Sequence, residues 1–126
     1  MSNVPTDLKY TKSHEWVRFE GDTATIGITD FAQSESGDLV FVDLPNVGRV
    51  LQAGDVFGSI ESVKSVSDLY APVAGEVVDA NPALSSQPEL MNSDPYGKGY
   101  LVKIKAGDPP VTEELLDAAA YAESLS

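Results

Sequence analysis

The chain has no cysteine, one histidine (His14) and one tryptophan (Trp16) among its 126 residues. Without cysteine there is no disulfide, no Cys-ligated zinc, no iron–sulfur cluster and no thiol nucleophile. A two-histidine metal site is impossible, and a Ser-His-Asp triad would have to use His14. Cations are scarce: Lys and Arg total 8 against 20 Asp and Glu, for a formal charge of −12. Such a chain is a poor binder of nucleic-acid phosphates and favours partners with basic docking surfaces. No run of about 18 apolar residues occurs, so no membrane-spanning helix is expected. The first ten residues show no basic stretch followed by an apolar one, so no signal peptide is expected and a cytoplasmic location is. With so little catalytic hardware, difficult chemistry would need an attached group to supply the reactive atoms.

What is present is ordinary for a globular protein: 42% hydrophobic and 22% charged residues. The length fits one domain over 1–126, large enough for a modest core. β-rich runs at 10–19 and 23–28 flank Gly21 and Asp22, a hairpin pattern. Thr29 suits a helix N-cap, Asp30 its first turn and Gly37 its end, so one short helix is expected between them. The apolar run 39–42, set between Gly37 and Pro45, reads as a strand buried on both faces. Further strands are expected at 50–51, 56–63, 66–70 and 76–78, separated by turn residues. Residues 84–97 read as a loop pinned by Leu90 and Met91. In 100–105, Tyr100, Val102 and Ile104 alternate with Lys103 and Lys105, with Leu101 out of pattern. From Thr112, a candidate N-cap, the pattern turns helical. Leu115, Leu116, Ala119, Ala120 and Leu125 are expected to face the body. Strands recurring about every ten residues point to an all-β sandwich or barrel.

Lys64 stands out. It is the only basic residue between Val50 and Gly97, a stretch with seven acids. It lies between two β-rich arms, so pairing them puts it at or beside a hairpin tip. The tip lacks the Asn-Gly or Gly-X pair of tight hairpins. Two readings are open on pattern alone. Lys64 is a solvated lysine in a salt bridge with Glu61 or Asp68, or it is an exposed amine held on a rigid turn as an acyl acceptor.

The residues around it carry a resemblance. ESVKSVSDLYAP over 61–72, followed by Gly75, Glu76 and Val77, resembles the lipoylation motif of the glycine cleavage system H protein family. YTKSHEW (10–16), GITD (27–30), Ala32 and Gln33, Gly37 and Asp38, VFV (40–42), Leu44 and Pro45, NSDPYG (92–97) and KIK (103–105) resemble that family in the same order. The resemblance covers nearly the whole chain.

The resemblance implies a mainly β, lipoyl-domain-like barrel-sandwich hybrid, with a short helix in the N-terminal half and a C-terminal helix. It implies lipoate in amide linkage to Lys64, which adds one more negative charge to the formal −12. The arm would accept an aminomethyl group from the pyridoxal-phosphate-dependent glycine decarboxylase. It would present that group to the tetrahydrofolate-dependent aminomethyltransferase and be reoxidised by dihydrolipoamide dehydrogenase. The chain would be a carrier and not an enzyme, with no metal, acylated by a lipoate ligase or lipoyltransferase. By the same resemblance Ser13, Glu15 and Asp68 contact the loaded arm, and Glu61 aids recognition by the ligase. A carboxylate suits a protonated amine, and burial would shield the cargo from water. His14 reads as a surface or packing residue, Trp16, Phe41 and Tyr70 as core or pocket wall, and 92–97 as a bracing turn. Tyr100 departs from the family, which usually has tryptophan there, but both are large aromatics. An H-like protein relaying lipoate to other lipoyl domains remains an alternative. Biotin is disfavoured because Val63 and Ser65, not methionine, flank Lys64. A shuttle with a free tip is expected to be monomeric.

Overall fold

The computed structural model describes residues 4–105 and 115–125. Two antiparallel sheets enclose the core. The larger is ordered β1 (Lys9–Tyr10), β2 (Glu15–Glu20), β3 (Thr23–Ile28), β9 (Val102–Lys105), β8 (Gly75–Ala80) and β5 (Val50–Leu51). The smaller is β4 (Leu39–Asp43), β6 (Val56–Ser62) and β7 (Val66–Tyr70). Among the described residues three short α-helices, α1 (Asp30–Ser36), α2 (Leu90–Ser93) and α3 (Ala118–Ser124), complete it with a 3-10 turn at Pro82–Ser85. The mainly β sandwich with helices in both halves is the architecture expected.

The inward faces obey strand alternation. Val17 pairs with Ile26 across the β2–β3 hairpin, and Ile26 with Val102 on β9. These meet Leu39, Phe57, Ile60 and Leu69 of the smaller sheet in one buried cluster. A second cluster joins Leu8, Tyr10 and Trp16 to Ala118 and Tyr121 and so fastens α3 to the body. Gly27 makes room for the indole: a Cβ there would stand 2.6 Å from Trp16 ring atoms.

Helix α1 forms as its signals require. Thr29 Oγ1 accepts the Ala32 amide at 3.2 Å, and Gly37 ends the helix at φ 80°. Asn92 of α2 then braces the turn into β4. Its Nδ2 donates to the Gln33 side chain (3.0 Å) and the Gly37 carbonyl (2.9 Å), and its Oδ1 accepts the Leu39 amide (2.8 Å). This bears out the bracing role of 92–97. Asn92→Ala leaves these groups without their partner, and it is expected to cost about 1–3 kcal/mol in urea unfolding. A loss below about 0.5 kcal/mol would show that the turn holds without it.

Several expectations are corrected. The strand at 39–42 is not buried on both faces: Leu39 is buried, but Val40 and Phe41 are each 52% exposed. β4 is the edge strand of the smaller sheet, and its pairing with β6 shifts register between Leu39 and Phe41, so that Val40 and Phe41 are both exposed although Leu39 is buried. Phe41 is therefore not core. Residues 84–97 are not simply loop. Asn81 Oδ1 caps the Ala83 amide ahead of Pro82 to start the 3-10 turn, and α2 follows, with Met91 fully buried. Polar and Pro-rich runs initiate short helices as readily as loops. Leu101 lies in the core and its amide bonds the Ile26 carbonyl at 2.7 Å, whereas Tyr100 precedes the strand and is half-buried. Thr112 lies outside the described residues. Helix α3 is capped by Asp117, whose Oδ1 accepts the Ala120 amide at 2.8 Å. That cap sets the helix phase so that Ala118 and Tyr121 face the body and Ala119 and Ala120 face outward, contrary to expectation. Leu115, Leu116 and Leu125 do pack against the clusters, Leu116 as a bridge to Tyr10.

Candidate functional site

Lys64 stands on the turn between β6 and β7. The Ser62 amide donates to the Ser65 carbonyl at 2.8 Å, and the Ser62 hydroxyl accepts the amides of Lys64 (3.3 Å) and Ser65 (3.1 Å). Ser62 thus supplies the turn chemistry that Val63 and Lys64 lack. Val63 is 79% and Val66 67% exposed, so the tip projects from the sheet. Among the described residues no ion pair joins Lys64 to Glu61 or Asp68, which removes the salt-bridge reading. The lysine stem lies over Gly37, at the end of α1: a Cβ built there would be 3.4 Å from Lys64 Cε and 4.0 Å from Nζ.

Helix α1 is also one wall of a cleft of about 160 Å³. Phe31, Ala32, Glu35 and Ser36 line it from α1, Ser67 and Asp68 from β7, and Ser13, His14 and Glu15 from the opposite side. The structure therefore brings Ser13, Glu15 and Asp68 to one cleft, next to the helix over which Lys64 lies. Asp68 is exposed, opposite Ser59 of β6. Glu61, half-buried, is paired with Phe41 and Val66 and is not a cleft residue.

Glu15 is 1% exposed. Its Oε1 accepts hydrogen bonds from Thr11 Oγ1 (2.7 Å) and Ser13 Oγ (2.5 Å). Its Oε2 receives one long contact, the Tyr70 amide at 3.5 Å. Burial pushes the carboxyl pKa up, against the opposing pull of the Ser13, Thr11 and Tyr70 donors. This is a buried acid with donors crowded on one oxygen and capacity left on the other. Ser13 and Glu15 also border a larger cavity of about 590 Å³, walled by Tyr70, Pro72 and Leu115 among others. Tyr70 is thus a pocket wall, as expected.

His14 packs, as expected. Its ring lies 4.7 Å from that of Phe31 and 5.7 Å from that of Tyr121, and burial lowers its pKa against the pull of Glu35. Its backbone, at φ 72°, is left-handed. Trp16 is fully buried and its indole donates to the Pro95 carbonyl at 2.9 Å. Thr11 and Tyr121 were not foreseen. Thr11 differs from any surface threonine only in its place four residues before Glu15, and Tyr121 reaches the site across 107 positions of sequence. Among the described residues no cluster of three His, Asp or Glu could hold a metal, and no helix is long and apolar enough to cross a membrane.

A lysine projecting from a hairpin of a two-sheet sandwich, beside a cleft with a buried carboxylate, is the arrangement of a carrier protein. Comparison with known proteins assigns it further. The profile of the family described as Glycine cleavage H-protein matches residues 8–126. The glycine cleavage system H protein of Bacteroides thetaiotaomicron is 57% identical over 119 residues, 94% of each chain. That of an Enterobacter species is 59% identical over 126 residues, 99% of this chain and 98% of its own. The crystal structure of the Mycobacterium marinum H protein superposes with a TM-score of 0.90 at 40% identity, covering 97% of this chain and 98% of that one. The chain belongs to the glycine cleavage H-protein family, the lipoyl carriers of glycine cleavage.

Proposed function

We propose that Lys64 is the lipoylated residue, and that Ser13, Glu15 and Asp68 line the cleft in which the loaded arm shelters. The protein is a monomeric, cytoplasmic, non-catalytic shuttle among glycine decarboxylase, aminomethyltransferase and dihydrolipoamide dehydrogenase. A ligase or lipoyltransferase acylates it, reading Glu61 beside the tip. The observation that carries this reading is the exposed Lys64, without an ion pair among the described residues, its stem laid over Gly37 at the end of the helix that walls the Glu15 cleft.

When bound, lipoate supplies a disulfide that takes up the aminomethyl cargo and a dithiol that is reoxidised once the cargo has gone. The residues present fit that group. Lys64 is free to form an amide, and the tip presents it to another protein's active site. Glu15 Oε2, with one long contact, has room to accept a protonated amine. Ser13 fixes the other carboxylate oxygen. The cleft keeps water from a hydrolysable cargo.

Intact mass of the protein made in lipoate-supplied cells, followed by peptide mapping, tests this. One lipoyl increment on the peptide holding Lys64 is expected. A biotinyl increment, or none despite a competent ligase, would overturn the reading. Transfer of lipoate from the holo-protein to other lipoyl domains would favour the relay alternative.

A further inference from the structure

The hydroxyl of Tyr121, itself outside the cleft lining, joins the segments that carry two of its walls. It is 2.8 Å from His14 Nδ1 and 2.7 Å from Thr29 Oγ1. His14 lies between Ser13 and Glu15 on one wall. Thr29 caps α1, which is the other wall. The walls also touch directly, through the Thr29 amide and the His14 carbonyl at 3.0 Å.

His14 needs such a tether. A non-glycine residue at φ 72° occupies a sparsely populated region and stays there only when its surroundings hold it. Its amide bonds the Thr11 carbonyl at 3.2 Å, its carbonyl bonds Thr29, and its ring is held by Phe31 and Tyr121. Tyr121 is itself fully buried and stacks on Tyr10, with ring centroids 4.6 Å apart and planes within 6°.

Proton counting fixes the direction of the chain. Thr29 is fully buried and its Oγ1 already accepts the Ala32 amide. Among the described residues its own proton has one partner within reach, the Tyr121 oxygen. The Tyr121 proton then goes to His14 Nδ1, and His14 carries its hydrogen on Nε2. If Nδ1 were the donor, two contacts would have to take three protons, and either the Thr29 or the Tyr121 hydroxyl would be left without an acceptor. Burial lowers the His14 pKa and raises that of Tyr121 to about 12, both in the direction of the neutral forms that this chain requires.

We infer that Tyr121, acting through His14 and Thr29, is a positioning residue for the arm cleft, and that the C-terminal helix thereby sets how the Ser13–Glu15 wall stands against α1. The inference rests on the carrier reading only for its consequence at the arm; the hydrogen-bond chain stands in the unmodified protein.

Two readouts test it. Long-range ¹H–¹⁵N correlation on unmodified protein is expected to show His14 as the Nε2–H tautomer. In Tyr121→Phe, which keeps the ring and its stacking, both tautomers are expected. On lipoylated, aminomethyl-loaded protein, Tyr121→Phe is expected to release the cargo amine to water about fivefold to tenfold faster, the scale of one hydrogen bond. Tyr10→Phe is the control. It removes a hydroxyl from the same stack, bonded to the Pro5 carbonyl and not to the cleft, and is expected to leave both readouts unchanged. An Nδ1–H tautomer in the wild type would overturn the inference. So would wild-type release from Tyr121→Phe, or an equal effect from Tyr10→Phe. A protein that cannot be lipoylated at all defeats the carrier reading instead, and the tautomer measurement still decides the chain of bonds.

Discussion

Lys64→Arg is expected to abolish acylation and, with it, all glycine cleavage activity that depends on this chain, while leaving the fold intact. The two halves of that expectation have separate causes. Arginine keeps the charge and much of the stem, but its delocalised guanidinium stays protonated and does not form the amide. The fold is indifferent because Lys64 contributes little to it. The Lys64 side chain is exposed, forms no ion pair with Glu61 or Asp68, and touches the body at Gly37. The turn is held by Ser62, whose hydroxyl takes two amides and whose own amide bonds Ser65. Substitution at such a position moves stability by within about 0.5 kcal/mol. Urea unfolding and a glycine cleavage assay reconstituted with the partner enzymes check the two halves. Full activity from the Arg variant would remove Lys64 from the mechanism. Loss of activity together with a large loss of stability would mean that the tip does more for the fold than its contacts suggest.

The tip was readable from sequence because its chemistry is local. Lys64 is isolated among acids and set between β-rich arms, and the turn that holds it needs only Ser62 and Ser65. Thr29 and Gly37 announced α1 for the same reason, since a cap and a left-handed stop act within one turn. What failed to show depends on distance. The exposure of Phe41 follows from the register shift between Leu39 and Phe41 in the edge strand β4, which is a property of its pairing with β6 and not of the apolar run. The phase of α3 follows from Asp117 and from the pocket that takes Tyr121. Both are invisible to a pattern that counts apolar positions, in which Ala119 and Ala120 score as well as Ala118. The left-handed His14 has no signal at all, because nothing near it in sequence requires that conformation. Thr29, Phe31 and Tyr121, which hold it, come from α1 and its cap and from α3. Ser13, Glu15 and Asp68 entered as site residues through the family resemblance. The structure brings them to one cleft, and it also supplies what resemblance lacked: Glu15 is buried, and its two oxygens are unequally occupied.

That inequality sets the second large expectation. Glu15→Gln should release the cargo amine from the loaded arm about tenfold to a hundredfold faster, the range of a charge-assisted hydrogen bond, without a matching loss of stability. Gln keeps an oxygen for Thr11 and Ser13 but puts an NH₂ group where the protonated amine would sit. In the unmodified protein the carboxylate is a cost. Burial raises its folded pKa above the ordinary value of about 4.5. A raised pKa contributes stability that is fully present below the unfolded value and is lost as pH rises through the folded one. Above that folded value the wild type has lost this contribution, and the Gln variant has none to lose. His14 works in the opposite sense. Its folded pKa is below its ordinary 6.5, so its contribution is present above 6.5 and lost as pH falls through the folded value. Subtracting the variant's unfolding free energy from that of the wild type, across a pH series, cancels His14 and isolates Glu15. The difference is expected to fall as pH rises from 4.5 and then to level off. A flat difference would show that Glu15 is not strained by burial. Unchanged release would show that the cargo amine does not rest on this carboxylate. If both expectations hold, the fold keeps an acid that destabilises the empty protein because a protonated amine in the cleft supplies the missing counter-charge.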